Sequence, residues 1–333
     1  MERALKLSNG LDNVIIKKGL LLEITDFLPK NQKVLLVSDD GIPSIYYEKI
    51  KTKYPEIMVH IVSQGEKSKS IKTYQEILNI LLENHFSRDD YILALGGGVV
   101  TDLVGFVAAT FKRGIKFISI PTSLLAMVDA AIGGKNGLNF NGIKNMIGTF
   151  YHPVIVLVDP NVLSTLPKRQ FNNGLVEAIK IGLIKDRKIL EIIKEDDYYE
   201  NIEEVIYRSI SVKMEIVKQD EKENQTRKLL NFGHTFGHAY EEYFKMNDIL
   251  HGEAVGLGML TVCKHEKYYQ SLYNLLKKLD LPLEVVCDKK QIIEFIKNDK
   301  KANSYYIDLV VVHEIGNGII ERVKIENLDK YME

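Results

Sequence analysis

Short apolar runs alternate with amphipathic stretches along the first half of the chain. "VLLV" (34–37), "VHIV" (59–62), "YILALGGG" (91–98), "KFISIPTS" (116–123) and "VIVLVD" (154–159) read as buried strands, because unbroken runs of Val, Ile and Leu suit strands covered on both faces. Between them, Ile71, Tyr74, Ile77, Leu78, Leu81 and Leu82 recur at helical spacing over 71–82. Strands alternating with helices predict βαβ units and a mostly parallel sheet. After "LSTLPKRQ" (163–170) the pattern changes. Segments 173–185, 200–219, 229–244, 251–269 and 271–279 carry helical periodicity, and "YYIDLVVV" (305–312) reads as one late strand. The expected architecture is an α/β, Rossmann-like nucleotide-binding domain over 1–167 and a mostly α-helical domain over 168–333.

Composition narrows the class. A formal net charge of -1 over 333 residues gives no bulk basic surface for nucleic acid or an anionic membrane, so any cationic site must be local. Cys263 and Cys287 stand far apart in no metal-like spacing, which favours a reducing compartment over a disulfide framework. The first residues lack an apolar segment with a cleavage site, and no apolar run approaches the ~18–20 residues that span a bilayer. A cytoplasmic protein is expected.

Chemistry concentrates at the strand ends and at three histidines. In "LALGGGVVTDLVGFVAATF" (93–111) a strand runs into a glycine cluster and an apolar helix. Gly97 and Gly98 would let backbone approach a ligand closely, and the helix N-terminus suits a pyrophosphate. The plain alternative is a tight turn with no ligand, since the G-x-G-x-x-G fingerprint is absent. Thr122 and Ser123, Glu66 and Lys69, and Asp39 also lie at carboxyl ends of strands, where open α/β sheets bind ligands. Each alone could be an ordinary loop polar.

"NFGHTFGH" (231–238) places His234 and His238 four apart, and "LHGEAVG" adds His251. On a helix over 230–242, His234 and His238 share a face. The spacing resembles H-E-x-x-H, but Thr235 occupies the position of the zinc protease's glutamate. A catalytic cation takes about three protein ligands. Glu177, on an otherwise apolar helix, could supply a carboxylate or could pair with Lys180 at i+3. Glu253 could ligate or could support a ligand. Spacing alone yields two histidines and one glutamate without saying which histidine is left out.

Together, "GGGVVTDLVGFVAATFKRG", "IPTSLLAMVDAAIGGKNGLN", "KNMIGTFYHP", "LPKRQFNNGLVEAIKIGLI", "LLNFGHTFGHAYE" and "LHGEAVGLGM" closely resemble the 3-dehydroquinate synthase family of sugar-phosphate cyclases. The resemblance runs in order from about residue 33 to 317. It implies NAD and a divalent metal, zinc or cobalt, as cofactors, a homodimer, and a lyase of the shikimate pathway. That lyase turns 3-deoxy-D-arabino-heptulosonate 7-phosphate into 3-dehydroquinate and phosphate by transient oxidation, β-elimination, reduction and aldol closure. The implied metal ligands are Glu177, His234 and His251, with His238 catalytic beside the substrate phosphate. Lys135, Asn145 and Lys180 would join it there, with Arg113 from the neighbouring subunit. Lys213, Arg227 and one of Lys300 or Lys301 would hold the substrate carboxylate. Asn231 would bond a hydroxyl, and Glu223 falls where the family has an acid suggested as a proton acceptor. The implied NAD contacts are Asp39, Glu66, Lys69, Gly97, Gly98, Val99, Asp102, Thr122, Ser123, Leu125, Asp129, Lys144, Thr165 and Leu166. Ala131 and Asn136 depart from the family's serine and threonine, and "NFNGIKN" lacks its usual proline. A cyclase of another sugar phosphate, such as a 2-deoxy-scyllo-inosose or C7-cyclitol synthase, would share the NAD, metal and phosphate sets but not the carboxylate set. A metal-dependent polyol dehydrogenase would release NADH, and a non-catalytic binding protein would have no reason to keep the ligands and cations.

Overall fold

Apolar strands buried on both sides build the first half of the molecule, a computed structural model describing residues 5–28, 30–244, 249–299 and 305–333. The chain divides into two units, Met1–Pro167 and Lys168–Glu333.

In the first unit the strands are β1 (Leu5–Ser8), β2 (Asn13–Ile16), β3 (Val34–Asp39), β4 (Met58–Val62), β5 (Tyr91–Gly96), β6 (Lys116–Pro121), β7 (Lys135–Phe140), β8 (Ile143–Phe150) and β9 (Ile155–Val158). Seven of them form one sheet in the order β1-β2-β9-β6-β5-β3-β4. All neighbours pair in parallel except β1 with β2. Helices α1 (Ser44–Lys53), α2 (Ile71–Glu83) and α3 (Gly98–Thr110) follow β3, β4 and β5. Helix α3 is apolar around most of its circumference, with Val100, Leu103, Val104, Val107 and Ala108 fully buried; it packs with Leu35, Val37, Ile77, Leu81, Ile92 and Phe117 into one core. Strand β5 stops at Gly96 and α3 begins at Gly98, so the "GGG" cluster is the turn between them. Two features are not among the expected strands: the β1–β2 pair, whose apolar run is only Val14 to Ile16, and the β7–β8 hairpin.

The second unit is largely helical: α4 (Lys168–Ile184), α5 (Arg187–Lys194), α6 (Ile202–Gln219), α7 (His234–Tyr243), α8 (His251–Val262), α9 (Tyr269–Lys278) and α10 (Lys289–Asp299). Every residue of α4 from Phe171 to Ile184 is buried, as expected of a helix that is apolar nearly all round. The helix expected over 229–244 starts only at His234. Gly233 at φ 78° breaks it, and 226–231 form a 3-10 segment instead. The helix expected over 251–269 is shorter, with α8 ending at Val262, and α9 from Tyr269 corresponds to the one expected over 271–279. The late strand is half of a hairpin, β10 (Tyr306–Glu314) with β11 (Asn317–Lys324). No helix among the described residues is long and apolar enough to cross a membrane.

Candidate active site

Helices α4, α7 and α8 bring Glu177, His234 and His251 together. One ligand atom from each lies within 4.8 Å of the others. His234 and His251 are the first residues of their helices, and the helices approach closely because glycines line the contact. A Cβ on Gly258 would fall 2.0 Å from the Gly233 carbonyl oxygen, and one on Gly237 would meet the Val255 Cα at 3.1 Å. Helix α8 is further anchored at its start. The Asn173 side chain accepts the Gly252 N–H at 2.5 Å, and Glu253 accepts the Leu250 N–H at 2.8 Å.

Glu253 is thereby committed. Its two oxygens take Arg169 Nε at 2.6 Å and Nη2 at 2.8 Å, so of the two glutamates considered as ligands, Glu177 lies with His234 and His251 and Glu253 does not.

Glu177 is 1% exposed. Its Oε1 lies 3.7 Å from His234 Nε2 and 3.4 Å from His251 Nε2, and its Oε2 forms an ion pair with the equally buried Lys180. Beyond these ion-pair contacts, neither oxygen has a hydrogen bond of good geometry among the described residues. A buried carboxylate without hydrogen bonds is costly, and a cation in contact with it would relieve that cost. Burial pushes the Glu177 carboxyl upward, but Lys180, His234 and His251 overcome it and hold it well below the usual range. Burial, reinforced by Lys180, lowers His234 to about 3. For His251 burial is outweighed by contacts with Glu177 and Glu241, which push it up to about 10. An anionic carboxylate beside two imidazole nitrogens is a donor set for zinc or a similar borderline cation.

The ring atoms facing away from Glu177 are occupied. His234 Nδ1 donates to the Phe232 carbonyl at 3.1 Å. His251 Nδ1 is 3.3 Å from the carboxylate of Glu241. His238 is exposed one turn further along α7, its ring centroid 5.3 Å from that of His234 and 6.1 Å from that of His251.

The other residues of this unit sit nearby in sequence but in varied settings. Lys213 is buried on α6 and Arg227 is buried in the 226–231 segment. The Arg227 guanidinium donates to the Glu221 carbonyl at 2.5 Å, and its backbone N–H donates to Asp220 at 3.0 Å. Asn231 donates to Glu223 at 2.5 Å, and Glu223 sits at φ 60°. Lys300 and Lys301 lie outside the described residues.

In the first unit Asp39, Glu66, Lys69, Gly97, Gly98, Val99, Thr122 and Ser123 lie at or just past the carboxyl ends of β3, β4, β5 and β6. Asp39 ends β3, raised in pKa chiefly by burial, and accepts the Gly41 N–H at 2.9 Å. Gly97 caps α3, and Gly98 and Val99 start it. A Cβ on Gly98 would stand 3.3 Å from the Ala130 Cβ, a tight contact that Ala130 would have to yield to by a few tenths of an ångström. Thr122, at the end of β6, buries its hydroxyl without a hydrogen-bond partner among the described residues. That orphaned group beside an uncapped helix N-terminus is a setting for a dinucleotide's phosphates and ribose. Ser123 accepts the Ala126 N–H at 3.3 Å; Leu125 and Asp129 are half-buried just beyond. Thr165 bonds the Tyr46 hydroxyl at 2.9 Å, with half-buried Leu166 next to it.

Lys69, Asp102 and Asn145 form a group that sequence did not foresee. The Lys69 ammonium pairs with Asp102 and donates to the Asn145 side chain, although the resemblance divides these residues between cofactor and phosphate. Asn145 is held at φ 53° by the Asn139 side chain, which accepts its N–H at 2.9 Å and itself donates to Glu66 at 2.8 Å. Lys135 is exposed at the start of β7, Lys144 is half-buried in β8, and Arg113 is exposed at φ 65° after α3. Asn136 closes the base of the β7–β8 hairpin, donating to the carbonyls of Gly134 and Tyr151 at 2.8 Å each, while Ala131 is simply buried.

Glu241, Arg169 and Asn173 are the residues that sequence reasoning passed over. Glu241 had a signal: it lies seven after His234, on the same helical face.

Residues 59–173 match the 3-dehydroquinate synthase N-terminal family model, and residues 174–302 match the C-terminal one. A 3-dehydroquinate synthase of Clostridium botulinum is 38% identical over 334 residues, covering 94% of this chain and 95% of that protein. One from Lactococcus lactis is 40% identical over 342 residues, covering 96% of each. Among solved structures, a 2-epi-5-epi-valiolone synthase from Streptomyces hygroscopicus, with NAD+ and Zn2+ bound, superposes with a TM-score of 0.86 at 26% identity over 99% of this chain and 98% of that one. Matches of this extent, running through both units, establish that the chain belongs to the 3-dehydroquinate synthase family.

Proposed function

We propose that this protein is a 3-dehydroquinate synthase, a lyase of the shikimate pathway. It converts 3-deoxy-D-arabino-heptulosonate 7-phosphate into 3-dehydroquinate and phosphate, with transient oxidation, phosphate elimination, reduction and aldol closure on one bound substrate. The observation that carries the reading is Glu177: a fully buried carboxylate, paired with Lys180 at one oxygen and facing two imidazole nitrogens with the other, inside a chain of this family.

Glu177, His234 and His251 would hold a divalent cation, zinc or cobalt. The strand-end set, from Asp39 through Gly97, Gly98, Asp102, Thr122 and Asp129 to Leu166, would hold NAD. When bound, the cation supplies Lewis acidity and the nicotinamide a reversible hydride acceptor. The chain's own residues do the rest. Lys180, buried against Glu177, presents fixed positive charge toward an anionic substrate. His238, exposed beside the two ligand histidines, is placed to exchange a proton as phosphate departs. By the family resemblance, Lys135 and Asn145 would also contact the phosphate, with Arg113 supplied from the neighbouring subunit of a homodimer. Arg227 and Lys213 hold the carboxylate, joined by Lys300 or Lys301. The burial of Arg227 and Lys213 supports that role, because buried cations are kept where an anion is to be paired. Asn231 orients a hydroxyl, and its partner Glu223 is a proton acceptor. Holding one substrate through successive steps is a task of positioning and preset electrostatics. Two free cysteines fit a cytoplasmic setting.

The test is phosphate release from the heptulosonate phosphate with catalytic NAD and zinc, while absorbance at 340 nm is followed. Turnover without accumulating NADH is the expected result. No turnover, with activity on another sugar phosphate, would move the protein to a different cyclase. Steady NADH formation from a polyol would make it a dehydrogenase.

A further inference from the structure

The α7 face that carries His234 and His238 carries a third polar group. Glu241 is 5% exposed, and a carboxylate that deep is costly unless it is paired. Its Oε2 lies 3.3 Å from Nδ1 of His251. An ionised carboxylate can only accept, so Nδ1 must be the donor. When the ring binds a cation, the Nε2 proton leaves, the remaining proton stays on Nδ1, and the lone pair faces out at Nε2, the atom 3.4 Å from Glu177 Oε1. His234 follows the same logic with a different acceptor. A carbonyl also only accepts, so its Nδ1 proton points at Phe232 and its Nε2 faces Glu177. The difference is in the support. The acceptor for His234 is the backbone two residues earlier, held by the fold. His251 is half-buried on a separate helix, and its acceptor is a side chain.

We propose that Glu241 is a positioning residue for His251: it fixes the ring's tautomer and orientation, so that Nε2 faces the cation site of Glu177 and His234. The inference rests on the metal reading above. It leaves Glu241 outside the ligand set, although Glu241, His238 and His251 could themselves converge on an ion.

The experiment measures zinc affinity by chelator competition, and the visible spectrum of the cobalt-substituted protein. It compares wild type, Glu241→Ala, Glu241→Gln, His251→Ala and the Glu241→Ala/His251→Ala double variant. Glu241→Ala should weaken zinc about 10- to 100-fold, the usual effect of losing a ligand's supporting group. Glu241→Gln keeps an acceptor for Nδ1–H. It should recover at least half of that loss on a logarithmic scale and keep the cobalt band positions of wild type. In the His251→Ala background, removing Glu241 should change zinc affinity less than threefold, because its effect passes through His251. The melting temperature of each metal-free variant separates a folding defect from a metal defect, and Glu241→Gln carries the test if Glu241→Ala does not fold. Wild-type zinc affinity in Glu241→Ala would overturn the proposal. So would shifted cobalt bands in Glu241→Gln, or a full further loss in the double variant, either of which would make Glu241 a ligand. Failure of the wild type itself to bind stoichiometric zinc would instead overturn the metal reading.

Discussion

Buried charge is the clearest signal at the scale of single residues. Glu177 and Lys180 were marked by sequence alone, as ionisable groups on a helix that is otherwise apolar. What sequence left open was their use, because an internal salt bridge and a metal ligand look alike in one dimension. In the structure Glu177 has Lys180 at one oxygen and two imidazole nitrogens near the other. Arg227 was legible only through family resemblance. Its helical neighbourhood is charged, and nothing in the local pattern tells a buried arginine from a solvated one. It proves 3% exposed. Arg227→Ala should raise KM for the heptulosonate phosphate about 10- to 100-fold, the loss of one charge-assisted hydrogen bond worth roughly 1.5–3 kcal/mol. Steady-state kinetics checks this, with metal content and NAD affinity expected to stay at wild-type levels. Unchanged KM would place the carboxylate elsewhere.

Elements explain why "NFGHTFGH" and "HGEAVGLGM" are rich in glycine. The histidines begin two different helices, and their rings meet only if α7 and α8 pack almost backbone to backbone. Gly258 is the tightest point, with no room for a Cβ against the Gly233 carbonyl. Gly258→Ala should therefore push the helices apart. Thermal unfolding should report a loss of about 1–3 kcal/mol, the usual cost of overpacking, and zinc affinity should fall with it. Wild-type stability would mean that the contact relaxes freely. The same glycines misled the periodicity argument: Gly233 at φ 78° ends one segment and starts another where a single helix over 229–244 was expected. Helices α5 and α10 went unread for another reason. Each is short, eight residues in α5 and eleven in α10, so its apolar stripe of Ile189, Leu190 and Ile193 or of Ile292 and Ile296 spans only two or three turns.

For the whole molecule, the proposed ligands divide by unit: NAD contacts fall before residue 168 and metal ligands after it. Hydrogen exchange should separate them. Zinc at 100 times its dissociation constant should protect α4, α7 and the start of α8 by about 2.7 kcal/mol, and NAD should protect the start of α3 and the end of β6. Protection of the glycine turn by zinc alone, with none from NAD, would argue against the cofactor assignment.

The sequence by itself determined the parallel α/β character of the first half, since continuous Val/Ile/Leu runs have few other ways to be buried. Its long motifs likewise determined the family. The resemblance pointed to Glu177, but only tertiary structure showed that it lies with His234 and His251 while Glu253 does not, and that Glu241 stands behind His251. Ligand geometry depends on where separate helices cross and which side-chain atoms face each other there. Those distances arise from packing between residues 57 to 74 positions apart, and no local pattern encodes them.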